Sequence, residues 1–210
     1  MKKQLDYSVY LVTDSQLKST ETIEQAVEAA IVGGVTLVQL REKNIESLGF
    51  YNEAIAVKEI CHRYNVPLII NDRLDIALAV DADGVHLGQS DIPAAVAREI
   101  IGQDKILGVS ASNLEQAEKA QWDGADYLGV GAMFATGTKT DAKLVSKEQL
   151  REIVEMADIP VVIIGGVNEN TIPQFRDVKI DGVSVVSAII AKQDITGAAR
   201  RVKEIFMQGR

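Results

Sequence analysis

The chain has 210 residues, of which 47% are hydrophobic and 25% are charged, and its formal net charge is −8. This length suits one domain with a large core, so we expect a single domain over residues 1–210. The acidic balance argues against a nucleic-acid partner, which would need a basic face, but it leaves room for a small phosphorylated ligand. There is neither a signal-peptide stretch nor an apolar run of membrane-spanning length, which predicts a cytoplasmic protein without a membrane partner.

Short β-branched runs alternate along the chain with amphipathic runs that have helical spacing. The predicted strands are residues 9–12, 36–40, 67–70, 84–87, 106–109, 127–130, 161–164 and 182–186. Between them, apolar residues recur at helical spacing, as in Ile23 to Ile31 and Ile195 to Ile205. Alternating strands and helices imply a parallel sheet. About eight such units in this length favour a single-domain (β/α)8 TIM barrel over an open doubly wound sheet.

Three residues with reactive side chains are weaker candidates for a functional role. Cys61 is the single cysteine and lies in an apolar helical pattern, so we expect a buried, inert thiol. His86 lies inside the fourth predicted strand, where packing or hydrogen bonding within the barrel is expected. His62 belongs to an outer helix and is expected to face solvent.

A cluster of polar residues, Gln39-Leu-Arg-Glu-Lys43, ends the second predicted strand. By alternation, Gln39, Arg41 and Lys43 point to the same side. Catalytic sites of TIM barrels lie at the C-terminal ends of the strands, and an Arg fork with a Lys charge suits an anionic ligand there. The alternative is a solvated charge run at the protein surface.

Carboxylates follow the next two predicted strands. Asn71 and Asp72 end the third, and Asp91 follows the fourth. Hard oxygen ligands at this position suit Mg²⁺, which binds through one or two carboxylates together with substrate phosphates. The alternative is that Asp72 and Asp91 are helix N-caps. Together with Arg41 and Lys43, the pattern favours a diphosphate bridged by a metal ion.

A second anion site is predicted at the later strands. Gly166 ends the seventh strand and Val186-Ser187 ends the eighth, where glycine lets the backbone approach a phosphate. The loop Thr136-Gly-Thr-Lys139 lies between the two sites and offers two hydroxyls and an ammonium group. An ordinary polar turn is the alternative for this loop. Two anionic substrates, or one with phosphates at both ends, would suit this layout.

These motifs together resemble the thiamine phosphate synthase family along nearly the whole chain. The segments that carry the resemblance are Gln39-Leu-Arg-Glu-Lys43, Asn71-Asp72, Asp83-Gly-Val-His-Leu-Gly-Gln89 with Asp91, Thr136-Gly-Thr-Lys139 and Ile164-Gly-Gly166. The resemblance implies condensation of 4-amino-2-methyl-5-hydroxymethylpyrimidine diphosphate with hydroxyethylthiazole phosphate. The products would be thiamine phosphate and diphosphate, formed by a dissociative, Mg²⁺-assisted substitution.

The resemblance also implies a role for each site residue. Arg41, Lys43, Asn71 and Lys139 would hold the diphosphate, and Asp72 and Asp91 would carry Mg²⁺. Gln39 would lie near the pyrimidine and Ser110 beside the reacting diphosphate. Thr136, Thr138, Gly166, Val186 and Ser187 would hold the thiazole phosphate. The implied catalytic residues are Arg41, Lys43, Ser110 and Lys139, the partners are small-molecule substrates, and a homo-oligomer stays open.

Other functions are compatible with parts of the pattern. A sister branch of the same fold isomerises a thiazole carboxylate phosphate, and we would expect a His in its loop after the sixth strand, where this chain has none. A silent sensor of a phosphorylated metabolite would need anion sites but no metal carboxylates. A sugar-phosphate isomerase would need a base such as Glu or Cys at a strand end.

Overall fold

The structure, a computed structural model, describes residues 5–135 and 143–208. Eight parallel strands close into a barrel in chain order, each pairing with the next and β8 pairing with β1. The strands are β1 (Val9–Val12), β2 (Leu37–Leu40), β3 (Leu68–Asn71), β4 (Gly84–Leu87), β5 (Ile106–Ala111), β6 (Tyr127–Val130), β7 (Val161–Ile163) and β8 (Gly182–Val185). The predicted (β/α)8 TIM barrel is confirmed.

Helices follow the strands and form the outer layer. They are α1 (Ile23–Val32), α2 (Ser47–Arg63), α3 (Leu74–Ala79), α4 (Ala94–Ile101), α5 (Leu114–Trp122), α6 (Lys147–Met156), α7 (Ser187–Ile190) and α8 (Ile195–Met207). After β7 the chain forms a 3₁₀ helix instead, Ile172–Phe175. The short α7 was not predicted, because four residues are too few for helical periodicity to show. No helix within the described ranges is long and apolar enough to span a bilayer.

The strands are buried on both faces, as expected when helices cover a parallel barrel. Their outward side chains pack against the helices in the main hydrophobic core, which includes Cys61. Burial raises the pKa of this thiol to about 12, in agreement with the predicted inert role. A smaller cluster fills the barrel interior and consists of Tyr7, Tyr10, Leu37, Ile69, Ile106, Tyr127 and Val162.

Aspartates stabilise the N-terminal end of the barrel in a repeated way. An Asp directly before β4, β6 and β8 accepts a hydrogen bond from a backbone N–H near the start of the preceding strand. The pairs are Asp83 with Leu68, Asp126 with Leu107 and Asp181 with Val161, each at 2.8 Å. These bonds satisfy backbone donors that the parallel ladder leaves open. They also place these three carboxylates at the end of the barrel opposite to the predicted site.

Candidate active site

The C-terminal ends of β1 and β2 bring Arg41 and Lys43 to one pocket of about 590 Å³, which Ser187 also lines. The Arg41 side chain is only 22% exposed and reaches Asp14, with 3.4 Å between Nη1 and Oδ2. Its backbone N–H donates to Thr13 Oγ1 at 2.9 Å. The Lys43 side chain is half exposed and its ammonium group contacts Asp72. Arg41 is therefore a largely buried side chain that lines the pocket, contrary to the alternative of a solvated charge run. Lys43, which is half exposed, is still partly solvated.

Asp72 and Asp91 lie side by side, and neither is a helix N-cap. The N-cap of α3 is Arg73 and that of α4 is Pro93. Asp72 has a φ of 60°, a left-handed conformation that a non-glycine residue rarely adopts and that often marks functional sites. Asp91 turns back to accept a hydrogen bond from the Gly88 N–H at 2.6 Å. The capping alternative is wrong for both residues.

The two carboxylates interact closely enough to titrate together. Burial, the bond with Asp72 and the charge of Asp72 raise the pKa of Asp91 above its usual value. For Asp72, burial acts in the opposite sense to its partners, and the bonds with Lys43 and Asp91 lower its pKa. Two adjacent carboxylates that compete for one proton form a local excess of negative charge, which a divalent cation would neutralise.

The carboxylates of Asp72 and Asp91 suit Mg²⁺ if the substrate supplies its remaining ligands. No group of three or more His, Cys, Asp or Glu side chains is placed to hold a metal ion in the part of the chain that the structure describes. Two carboxylates alone would form an open site. Mg²⁺ commonly binds in this way, through one or two carboxylates, water and substrate phosphates.

Gln39, Asn71 and Ser110 all lie on strands. Asn71 is the last residue of β3 and is 9% exposed. Gln39, in β2, is 4% exposed, and its Nε2 donates to the Tyr10 hydroxyl at 2.6 Å. Ser110 lies within β5, which extends to Ala111, and its Oγ is 2.9 Å from Nε2 of His86. The sequence prediction had ended β5 before Ser110.

Two tyrosines belong to the same interior network, and sequence reasoning missed them. The Tyr10 and Tyr127 hydroxyls lie 2.6 Å apart, and the Tyr127 hydroxyl lies 2.9 Å from Nδ1 of His86. The predicted hydrogen-bonding role of His86 inside the barrel is confirmed. Alternation in β1 and β6 gave a usable signal, since a tyrosine at an inward position must find a partner for its hydroxyl.

The later strands form a second pocket of about 430 Å³, lined by Gly166, Val186 and Ser187. Gly166 has a φ of +66°, and a Cβ there would lie 2.6 Å from Cβ of Phe134. Only glycine therefore lets the chain turn here while the Phe134 segment packs against it. Because Ser187 lines both pockets, the two predicted anion sites adjoin each other.

The remaining predicted ligands, Thr136, Thr138 and Lys139, lie outside the described residues. The gap in the description begins after Ala135 and ends before Lys143. Ala135 is the last described residue before this segment. It lies near the second pocket, since the Ala135 carbonyl oxygen is 3.3 Å from an ideal Cβ on Gly166. The assignments to these three residues therefore remain predictions from the sequence.

The family model, two curated relatives and one solved structure agree on one family. Residues 9–189 match the family model described as thiamine monophosphate synthase. The chain is 60% identical over 208 residues to the thiamine-phosphate synthase of Clostridium beijerinckii, which covers 99% of this chain and 100% of that protein. It is 62% identical over 207 residues to the enzyme of the same name from Ruminiclostridium cellulolyticum, with 99% of each chain covered. Among solved structures, thiamine phosphate pyrophosphorylase from Pyrococcus furiosus matches with a TM-score of 0.90 and 37% identity, covering 97% of both chains.

Proposed function

Because the chain belongs to the thiamine monophosphate synthase family, we propose that its two adjoining pockets bind the two substrates of thiamine phosphate synthesis. The chain is a thiamine-phosphate synthase, a transferase of thiamine biosynthesis. In our proposal the pocket beside β2 takes 4-amino-2-methyl-5-hydroxymethylpyrimidine diphosphate. The pocket beside β7 and β8 takes hydroxyethylthiazole phosphate.

The diphosphate half of the proposal rests on the cation cluster. Arg41, Lys43 and Asn71 would bind the diphosphate oxygens, together with Lys139 from the following loop. Arg41 suits this role because Asp14 holds its guanidinium group at the pocket wall. Lys43 already contacts Asp72, so a diphosphate placed here would meet both an ammonium group and the carboxylate pair.

The carboxylate pair, Asp72 and Asp91, would hold Mg²⁺. When bound, Mg²⁺ would neutralise charge on the diphosphate oxygens and so make diphosphate a better leaving group. The raised pKa of Asp91 supports this assignment, since the charge of Asp72 contributes to it after burial, and a cation would offset that charge.

The second pocket would orient the nucleophile. Gly166, Val186 and Ser187 would contact the thiazole phosphate, with Thr136 and Thr138 completing the site. Ser187 lines both pockets, so a phosphate held there keeps the thiazole ring next to the pyrimidine. Positioning of two reactants in this way can supply a large part of the rate enhancement.

The proposed chemistry is a dissociative substitution that uses no enzyme nucleophile. The bond between the pyrimidine methylene carbon and the diphosphate oxygen breaks, and its electron pair leaves with diphosphate. Arg41, Lys43 and Lys139 stabilise the charge that develops on the leaving group, and Ser110 lies beside it. The electron-rich aminopyrimidine ring stabilises the methylene cation, and the thiazole nitrogen then supplies the pair for the new C–N bond.

The observation that carries this proposal is the contact of Lys43 with Asp72, which lies beside Asp91. Purified protein is mixed with both substrates and Mg²⁺, with and without a chelator, and thiamine phosphate and diphosphate are measured. We expect products only with metal. Thiazole phosphate binding without product would indicate the isomerase branch or a sensor, and would remove the diphosphate half of the proposal.

A matched pair of variants tests the metal site separately. Asp91→Asn is expected to weaken Mn²⁺ binding, followed by electron paramagnetic resonance, and to lower turnover together with it. Asp75→Asn is the control, because Asp75 is an exposed carboxylate paired with Arg73 on α3. Equal Mn²⁺ affinity in the two variants would refute the assignment of Asp91 as a ligand.

Two further expectations belong to the proposal, namely a single domain over residues 1–210 and a cytoplasmic location. Assembly as a homo-oligomer stays open. Light scattering of the purified protein measures the mass in solution and decides between monomer and oligomer. Limited proteolysis tests the single domain, which should resist cleavage into two stable parts.

A further inference from the structure

A continuous hydrogen-bonded chain of five side chains crosses the barrel interior. It runs from Gln39 to Tyr10, then to Tyr127, His86 and Ser110, with successive distances of 2.6, 2.6, 2.9 and 2.9 Å. The five residues come from β2, β1, β6, β4 and β5. Its ends are Gln39, which the family resemblance places near the pyrimidine, and Ser110, which the proposed function places beside the leaving diphosphate. We call these five side chains the barrel relay.

The barrel is shaped to contain this relay. A Cβ on Gly108 would lie 2.1 Å from Cζ of Tyr127, and a Cβ on Gly129 would lie 3.0 Å from Cε1 of His86. Inward-facing glycines on β5 and β6 thus leave the space that the two rings fill. Tyr10 and Tyr127 are essentially inaccessible to solvent. A buried polar network of this kind is stable only if every member finds a partner.

The relay has a direction, because each phenol has only one hydrogen to donate. Burial raises the pKa of Tyr10 and of Tyr127, so both phenols keep that hydrogen. Either phenol can donate in the bond between Tyr10 and Tyr127. With Gln39 Nε2 donating to Tyr10, every bond of the relay is made when Tyr10 donates its own hydrogen to Tyr127. Tyr127 must then donate to Nδ1 of His86, whose hydrogen is left on Nε2.

The direction decides what both ends offer to a ligand. His86 Nε2–H donates to Ser110 Oγ, so within the described residues the Ser110 hydroxyl hydrogen remains available for an acceptor. The Gln39 amide uses its nitrogen on Tyr10, so within the same residues its carbonyl oxygen remains available for a donor. If the amide were reversed, every bond would reverse. The Ser110 hydroxyl would then donate its hydrogen to His86, and Gln39 would present its N–H₂ group to a ligand.

We propose that Tyr10, Tyr127 and His86 are positioning residues that fix Gln39 as an acceptor and Ser110 as a donor at the same time. This inference rests on the proposed function, with the diphosphate at Ser110 and with the aminopyrimidine at Gln39 as the family resemblance implies. The amino group of the pyrimidine needs an acceptor, and the leaving oxygen needs a donor as its charge grows. One direction of the relay satisfies both ends and the other satisfies neither.

The direction is measured first on the unmodified protein, without any substrate. The chain has two histidines, His62 and His86, and His62 is exposed on α2, so ¹⁵N spectra of the two rings separate readily. A His62→Gln variant assigns the signals. We expect a single neutral tautomer for His86, with the proton on Nε2. A proton on Nδ1, or an equal mixture of tautomers, overturns the proposal whatever the enzyme activity.

The consequence for catalysis is measured with matched tyrosine variants. Tyr127→Phe removes the central oxygen of the relay, whereas Tyr7→Phe makes the same change on a buried ring whose centroid is 5.2 Å from that of Tyr127. We expect Tyr127→Phe to lower kcat about tenfold with less change in KM, the effect of one hydrogen bond of about 1.4 kcal/mol. We expect Tyr7→Phe to retain the parent kcat. In the ¹⁵N spectra, His86 should lose its single tautomer only in Tyr127→Phe.

The outcomes separate this inference from the proposed function. If the parent protein forms no thiamine phosphate, the proposed function fails, and the tautomer measurement still decides the relay direction. If the parent is active and Tyr127→Phe has the same kcat as Tyr7→Phe, the positioning role is refuted. Tyr10→Phe breaks the relay at its Gln39 side and gives a second test should Tyr127→Phe not fold.

Discussion

Removal of the Arg98 guanidinium group should destabilise the protein without changing its chemistry. Arg98 is 7% exposed and lies on α4. All five of its N–H groups donate hydrogen bonds. The acceptors are the carbonyls of Gly124 at 3.0 and 2.9 Å, Gly102 at 2.7 Å and Lys105 at 2.8 Å, and Oδ2 of Asp126 at 2.6 Å. One side chain therefore joins the turns that lead into β5 and β6.

The magnitude follows from the groups that Arg98→Met would leave behind. Three carbonyls and a carboxylate would lose a donor, and breaking a buried ion pair on one side typically costs about 3–5 kcal/mol. Asp126 is partly exposed and keeps its bond from the Leu107 N–H, so the low end, roughly 3 kcal/mol, is expected. In a chain of this size, this corresponds to a fall in Tm of about 6–12 °C.

Urea unfolding followed by circular dichroism measures this difference. Arg63→Met is the matched control, since Arg63 is 62% exposed and pairs with Glu28 at 2.9 Å. A surface pair of this kind contributes less than about 1 kcal/mol. Arg98→Lys should lose nearly as much unfolding free energy as Arg98→Met, because an ammonium group cannot reproduce the planar array of donors of a guanidinium group. Equal urea midpoints for Arg98→Met and Arg63→Met would refute this reasoning, as would a loss of turnover in folded Arg98→Met.

Two further predictions concern stability, one at Glu53 and one at Ser184. Burial, followed by the charge of Glu42, raises the pKa of Glu53 from 4.5 to about 7, so stability should fall as pH rises through this range. The gap corresponds to roughly 3 kcal/mol, which solvent screening reduces to about 1–2. The urea midpoint of Glu53→Gln should therefore equal that of the parent at pH 4 and be higher at pH 8. An equal rise in the midpoint at both pH values would contradict this. Ser184 has a buried hydroxyl without a hydrogen-bond partner among the described residues, so Ser184→Ala should leave stability unchanged or raise it by about 0.5 kcal/mol. Ser146→Ala removes the N-cap of α6 and should lower the free energy of unfolding by about 1 kcal/mol. A lower melting temperature for Ser184→Ala than for Ser146→Ala would refute both the unpartnered hydroxyl and the cap.

The fold was predictable because the relevant signals are local. Strand and helix periods are visible within ten to twenty residues, and their regular alternation leaves few architectures that bury every strand on both faces. The placement of Arg41, Lys43, Asp72 and Asp91 at one end of the barrel follows from the same rule, since parallel strands all end on one side. The strand boundaries were less predictable, as Ser110 shows, because a strand continues for as long as the neighbouring strand can pair with it by backbone hydrogen bonds.

What the sequence could not decide is which side chains meet. Asp72 and Asp91 each looked like a helix cap, and only the backbone path after β3 and β4 turns them towards each other. Periodicity likewise shows that Tyr10 and Tyr127 face inward but not that their hydroxyls touch, since 117 residues separate them. Such contacts depend on closure of the barrel, on its register and on the room that glycines leave inside it. The sequence alone thus determined the architecture and the end of the barrel that carries the site, whereas the tertiary structure decided the pairings within that site, because a pairing between distant residues exists only once the whole barrel has closed.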